Sequence, residues 1–301
     1  MNDSQPIRPH LVSRVWGGER LRALLRDAAT SDATAGPIGE AWFGTARGDA
    51  THALVKLLDV RERLSVQVHP NDALARELHG EGESGKHEAW VILEAAPGAI
   101  ILLGRDPAVD PGRLAAALRG DEAIEPLLAR MVVHPGDVID VPPGLLHALM
   151  PGLLVWEIQQ PTDRTYRVAD WGRESADRPL HPVEARQAAD PSVVAQRRSP
   201  LPDTPGAHII LDAGALHVVA VVGPWSGTID AHPGAVATHV PSPSQVSPRI
   251  GREESAECGG CSLRTFSSAR LGGGPFPVAV PAGGILLVGS LRTPSPPGTR
   301  G

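Results

Sequence analysis

The sequence predicts a mainly β protein, two barrels or sandwiches in tandem with a few short helices. Three observations carry that prediction. Gly 33 and Pro 30 together make up about a fifth of the 301 residues, which favours many turns over long helices. Apolar runs of strand length recur between those turns, first along two thirds of the chain and again in the last third. Helical spacing is confined to four short segments.

In chain order, residues 19–27 (ERLRALLRD) carry apolar residues at helical spacing. Strands are expected at 54–58 and 64–69. Asn71, just after His69-Pro70, caps a helix running to His79. Strands follow at 88–93 and 99–103, then an Asp/Pro-opened helical pair at 111–119 and 122–130. Further strands read at 132–133, 138–141, 153–159 and 165–169. Residues 187–206 are polar and proline-bearing and read as a linker, so the first domain is 1–190. The style repeats at 207–211, 216–222, 277–280 and 285–288, giving a second domain over 207–292. Residues 241–262 read as a mobile loop, and 293–301 (TPSPPGTRG) as a disordered tail.

Composition narrows the function. A formal charge of −6 argues against nucleic-acid binding. No run approaches the roughly 18 apolar residues of a membrane span, and the start, MNDSQPIRPH, lacks the basic and apolar stretches of a secretory signal. Two cysteines make no disulfide framework, so a cytoplasmic protein is expected. Among 28 basic residues only Lys56 and Lys86 are lysines. A lysine that persists against such an arginine bias is a candidate for chemistry that a permanently charged, forked guanidinium cannot do. Tyr166 is the lone tyrosine.

Three motifs carry chemistry. In LSVQVHP (64–70) a two-residue period places Ser65, Gln67 and His69 on one face and Leu64, Val66 and Val68 on the other. The polar face serves either a lined interior or plain solvent. In GKHEAW (85–90) Lys86, Glu88 and Trp90 alternate onto one face. A charged pair inside a barrel is costly without a metal or ligand, while on a solvated turn it needs none. The segment 136–147, GDVIDVPPGLLH, places Gly136, Pro142, Gly144 and His147 at the spacing of the second cupin signature, a strand, a Pro-Gly turn and a return strand presenting an imidazole. Gln67, His69, Glu88 and His147 together offer one amide oxygen, two imidazoles and a carboxylate. That mixed set suits Zn²⁺ with open positions, and Mn²⁺, Co²⁺ or Fe²⁺ as well.

A fourth segment, LLVWEIQQPTDRTYRVADWGR (153–173), completes a resemblance. With VWGGERL (15–21), IGEAWFG (38–44), VKLLDVRERLSVQVHPND (55–72), GKHEAWVIL (85–93) and VHPGDVIDVPPGLLHAL (133–149), it stands in the order of the type I mannose-6-phosphate isomerases, in their short bacterial cupin form. The chain resembles that family nearly continuously over 10–173. The resemblance implies two cupin-like β-barrels, the first catalytic. It implies one Zn²⁺ per chain on Gln67, His69, Glu88 and His147. Lys86, Arg167 and Asp163 are implied as catalytic, and Ser65, Lys86 and Arg167 as substrate-binding. The expected reaction interconverts mannose 6-phosphate and fructose 6-phosphate through a cis-enediol. The base is left open between Asp163, Lys86 and a metal-bound water, and the oligomeric state is left open too.

The chain departs from the family at His87, where many members have Thr or Pro between the lysine and the glutamate. In the second barrel, GPFPVAVPAG (274–283) echoes the Pro-x-Gly turn, but Ile285, Leu286 and Leu287 follow where histidine would stand, so no metal is expected there. Cys258 and Cys261 form CGGC, a pair without further partners. The alternatives are a non-catalytic sugar-binding cupin and another metal-dependent cupin enzyme, a dioxygenase or an epimerase.

Overall fold

The computed structural model describes residues 4–25, 36–44, 52–194, 196–242 and 255–292. Four antiparallel sheets carry the chain, packed in pairs as two sandwiches, the flattened form of the predicted barrels. In the first unit a seven-stranded sheet runs Gln196–Arg197, Val138–Val141, Glu88–Ala95, Leu153–Gln159, Leu54–Val60, Ile38–Phe43 and His10–Gly18. It faces a five-stranded sheet of Tyr166–Ala169, Val66–Val68, His147–Leu149, Ile100–Arg105 and Leu128–Val132. In the second unit a six-stranded sheet runs Ser4–Ile7, Ser268–Leu271, Val236–Pro241, Gly284–Leu291, Leu216–Val222 and Gly206–Ala213. Its partner holds Trp225–Ala231, Gly274–Val280, Ser255–Cys258 and Cys261–Arg264.

Side-chain alternation sorts the cores. Leu58, Trp90, Ile92 and Val155 of the seven-stranded sheet meet Ile101, Leu103 and Leu149 of the five-stranded one. The opposite face of the seven-stranded sheet, with Val55, Leu57, Val91, Trp156 and Ile158, packs on Leu216, Val218, Ala220 and Leu287 of the six-stranded sheet. Four layers therefore stack, and the seven-stranded sheet is covered on both sides. This explains why Leu54–Val60 and Leu153–Gln159 are buried at every position. At about 1.5–3 kcal/mol per fully buried aliphatic side chain, the seam between units makes one body of them.

Several expectations hold and some are corrected. Asn71 caps the helix Asp72–His79, its side chain accepting from Leu74 N at 2.9 Å. Asp110 and Pro111 open Pro111–Arg119 as expected. The expected helix at 122–130 is only a 3-10 turn, Glu125–Leu127, followed by the strand Leu128–Val132. Pro126 explains it, because a proline inside a helix has no N–H to donate and its ring clashes with the preceding turn. The expected helix at 19–27 is Arg20–Leu24, with 26–27 outside the described residues. A helix not anticipated, Pro182–Ala188, lies against the strand Tyr166–Ala169. Of the loop expected at 241–262, residues 243–254 lie outside the described residues, and the rest includes the hairpin Ser255–Cys258 and Cys261–Arg264. The tail expected at 293–301 also lies outside them, from 293 onward. The stretch expected as a linker is partly a strand, with Gln196 opposite Asp140. Ser4–Ile7 pairs with Ser268–Leu271 of the second unit, Ser4 opposite Leu271. Among the described residues, no helix is long and apolar enough to cross a membrane.

Candidate metal centre

The centre lies between the two sheets of the first unit. Val66 and Val68 turn to the helix-covered side, beside Leu114, Leu118 and Tyr166. The alternation that buries them there sends Ser65, Gln67 and His69 toward the seven-stranded sheet. His147 sits opposite Gln67 on the neighbouring strand. It follows a turn in which Gly144 takes φ 88°, a left-handed conformation that lacks a penalty only without a Cβ. Gly144 N donates to His69 O at 2.9 Å, tying that turn to the first motif. From the facing sheet comes Glu88, at the start of Glu88–Ala95, with Lys86 just ahead of it and held by Lys86 N donating to Pro70 O at 3.0 Å.

Three ligating groups converge. His69 Nε2 stands 3.3 Å from Glu88 Oε2, and His147 Nε2 stands 3.2 Å from Glu88 Oε1. Ligand atoms of His69, Glu88 and His147 all lie within 4.8 Å of one another, and all three residues are buried. His69 Nδ1 donates to Arg164 O and His147 Nδ1 to Leu145 O, each at 2.9 Å. A carbonyl only accepts, so each Nδ1 carries a hydrogen, and each Nε2, the atom free to ligate, is the one turned to the carboxylate. Burial and the nearby Lys86 push His69 down to about 3, which keeps that ring neutral. The Lys86 ammonium offsets the repulsion between the His69 lone pair and the carboxylate, and a metal ion among the three donors would offset it further. Tetrahedral ligands about 2.1 Å from Zn²⁺ stand about 3.4 Å apart, close to the separations at Glu88. The donor set fits a divalent cation, and carbonyl-anchored imidazoles are the usual outer support of such ligands.

Gln67 sits beside this trio with a specific orientation. Its Nε2 lies 3.2 Å from His147 Nε2, while its Oε1 accepts from Ser65 Oγ at 3.4 Å. Turning the amide through 180°, which leaves its shape unchanged, brings the oxygen into the ligand position. Lys86 Nζ lies 2.8 Å from Glu88 Oε2 and 3.2 Å from His69 Nε2. Burial alone would lower Lys86, but Glu88, Glu157 and Asp163 outweigh it and raise its pKa. Glu88 is held well below the usual carboxylate range: burial opposes this, and Lys86 and His69 overcome it.

The remaining expected residues stand around the trio. Arg167 pairs with Gln67 across the strands, so both face the same side. Its Nη1 donates to Pro179 O at 2.9 Å, and its buried Nε has no partner among the described residues. Burial, then Arg178, lowers its pKa. Asp163 is exposed and close enough to act electrostatically on Arg14, Lys86 and Arg167.

Four further residues line the inner face: Lys56, which the arginine bias marks, and Glu157, Glu40 and Arg14, which are not among the expected site residues. Glu157 stands opposite both Lys56 and Trp90. Its carboxylate lies 3.4 Å from Lys56 Nζ and accepts from Trp90 Nε1 at 3.0 Å. Burial, then Glu88, raises its pKa. Beyond it, Glu40 pairs with Arg14 at 2.9 Å and accepts from Trp42 Nε1 at 2.7 Å. The arginine bias is the available signal for Lys56. Arg14 is one arginine among 26 and carries none.

Comparison with known proteins places this arrangement. A family model described as phosphomannose isomerase type I, catalytic domain, matches residues 8–88. The Bacillus subtilis protein YvyI, which carries a provisional mannose-6-phosphate isomerase name, is 36% identical over 214 residues, 61% of this chain and 67% of its own length. The mannose-6-phosphate isomerase ManA of Bacillus subtilis is 38% identical over 148 residues, 49% of this chain and 46% of its own. The crystal structure of the mannose 6-phosphate isomerase from Bacillus subtilis superposes with a TM-score of 0.73 at 26% identity, covering 95% of this chain and 99% of that one.

Proposed function

This chain belongs to the type I phosphomannose isomerases, and we propose that it interconverts mannose 6-phosphate and fructose 6-phosphate with one Zn²⁺ per chain. The reaction moves a proton between C1 and C2 through a cis-enediol. Gln67, His69, Glu88 and His147 hold the cation. Bound there, it supplies Lewis-acid stabilisation for the negative charge that grows on substrate oxygens as the proton leaves carbon.

The other residues bind and orient. Lys86, a compact point charge beside Glu88, faces the same developing charge. Arg167, with an unspent buried donor, holds substrate oxygens or the phosphate by charge-assisted hydrogen bonds. Ser65 meets the substrate from the strand that carries the ligands, and Asp163 is the exposed carboxylate at the mouth. Trp90 and Trp42 form the apolar side of the interior, fixed by their N–H bonds to Glu157 and Glu40.

The convergence of His69, Glu88 and His147 beside Lys86 carries this reading. A coupled assay for fructose 6-phosphate formation, run with metal analysis, tests it. Purified protein should hold about one divalent ion per chain and lose turnover on chelation. Glu88→Ala should lose both metal and turnover while keeping its fold by circular dichroism. Metal-loaded protein that binds the sugar phosphate without turning it over would make this a binding cupin instead.

A further inference from the structure

His87 stands between Lys86 and Glu88, just ahead of the strand Glu88–Ala95, and its ring points away from the centre toward the second unit. Its Nδ1 accepts from Ala215 N at 3.1 Å, across the boundary between units. With Nδ1 accepting, the ring hydrogen is on Nε2, which donates to Asp140 Oδ1 at 2.7 Å. Asp140 Oδ2 accepts in turn from Arg198 Nη2 at 2.5 Å, on the segment joining the units. The backbone of His87 is clamped as well: its N–H donates to Gln160 Oε1 at 2.9 Å, and its carbonyl accepts from Gln160 N at 3.1 Å. Gly214, at φ 51°, lies so close that a Cβ there would overlap the His87 ring. A buried imidazole is thus gripped by three chain segments, one of them in the other unit.

We infer that His87 is the positioning residue through which the second unit sets the orientation of Lys86 and Glu88. This inference rests on the metal-centre reading above. Lys86 and Glu88 meet at the centre while His87 between them bonds to Asp140 and Ala215, so fixing the outward ring of residue 87 fixes the directions in which its two neighbours project inward. The second unit, which supplies none of the ligating trio, thereby acts on the metal site through one backbone N–H and one close-packed glycine. Outer residues that orient a ligand change metal affinity by about 10–100-fold when removed.

The experiment compares His87→Leu, His87→Gln and Gly214→Ala by chelator-competition Zn²⁺ affinity, with melting temperature and the kcat and KM split recorded for each. His87→Leu keeps bulk but loses both bonds, and should weaken Zn²⁺ binding at least tenfold. His87→Gln retains an acceptor for Ala215 and a donor for Asp140, and should stay within about threefold of the parent. Gly214→Ala lies in the second unit, touches no ligand, and should weaken Zn²⁺ binding as His87→Leu does, with kcat falling more than KM rises. A filler role would lower the melting temperature and leave the Zn²⁺ affinity of the folded protein unchanged, and that result overturns the inference. A glutamine variant no better than leucine overturns it too. Should His87→Leu not fold, Gly214→Ala still separates positioning from filling by the same affinity measurement. A parent protein that binds no divalent ion would sink the metal-centre reading itself, a different failure from indifferent variants on a metal-binding parent.

Discussion

Lys86 occupies a place where charge shape matters. Its ammonium is 2.8 Å from one carboxylate oxygen and 3.2 Å from an imidazole lone pair, in a space closed to solvent. A guanidinium brings the same charge but more bulk and a fixed plane. Lys86→Arg should therefore lower kcat by roughly a hundredfold, as when a transition-state electrostatic contact is lost, with metal content unchanged in the same preparation. Near-normal turnover would reduce Lys86 to a binding charge. At this scale the sequence is most informative where residue type and spacing coincide: strand alternation alone puts Ser65, Gln67 and His69 on one face, and the Pro-Gly turn places His147. It is silent on Glu40 and Arg14, which come from strands whose pairing no local pattern encodes. The outward grip on His87 is equally hidden, because its partners Asp140 and Ala215 are 53 and 128 residues away.

The elements tell a different story at the CGGC hairpin. Cys258 and Cys261 face each other across a two-glycine turn. Cys258 is buried against the core that holds Phe276, and burial, then Cys261, pushes its thiol up to about 12. Cys261 instead bonds to Ser4, its Sγ donating to Ser4 O at 3.1 Å and accepting from Ser4 Oγ at 3.0 Å. Cys261→Ser keeps a donor and acceptor there and should leave the melting temperature close to that of the parent. Cys258→Ser buries a hydroxyl in apolar surroundings and should cost about 1–3 kcal/mol, with metal content and turnover unchanged in both. Loss of metal in either variant would give the cysteines a role in the site. The small and polar residues of this hairpin make it resemble loose loop, yet its strand Ser255–Cys258 is held by tertiary pairing with Gly274–Val280. The opposite holds over 122–130, where helical spacing is present but Pro126 prevents the helix. Strands covered on both faces are easier to place where an apolar run marks them, as Leu153–Trp156 does at the start of Leu153–Gln159.

The tie between the two units makes one contribution to the molecule's response to acid. Burial would raise the Asp140 pKa, but hydrogen bonds from His87 and Arg198 outweigh that and lower it. A carboxylate depressed in the fold contributes stability above its unfolded value of about 3.9 and loses it as pH falls through the lower folded value. Asp140→Asn should therefore melt below the parent at neutral pH, and the gap should close as pH drops beneath about 4. A gap that persists in stronger acid would assign the loss to packing instead of charge. The strand Ser4–Ile7 has a consequence of another kind. Its partner Ser268–Leu271 lies some 264 residues later. During synthesis this early segment must wait, unpaired, until nearly all the rest of the chain has emerged. Ribosomes add about 5–20 residues per second, so that wait is about 13–53 seconds. A pairing that can close only late in synthesis thus fixes Ser4–Ile7 to the edge of the six-stranded sheet.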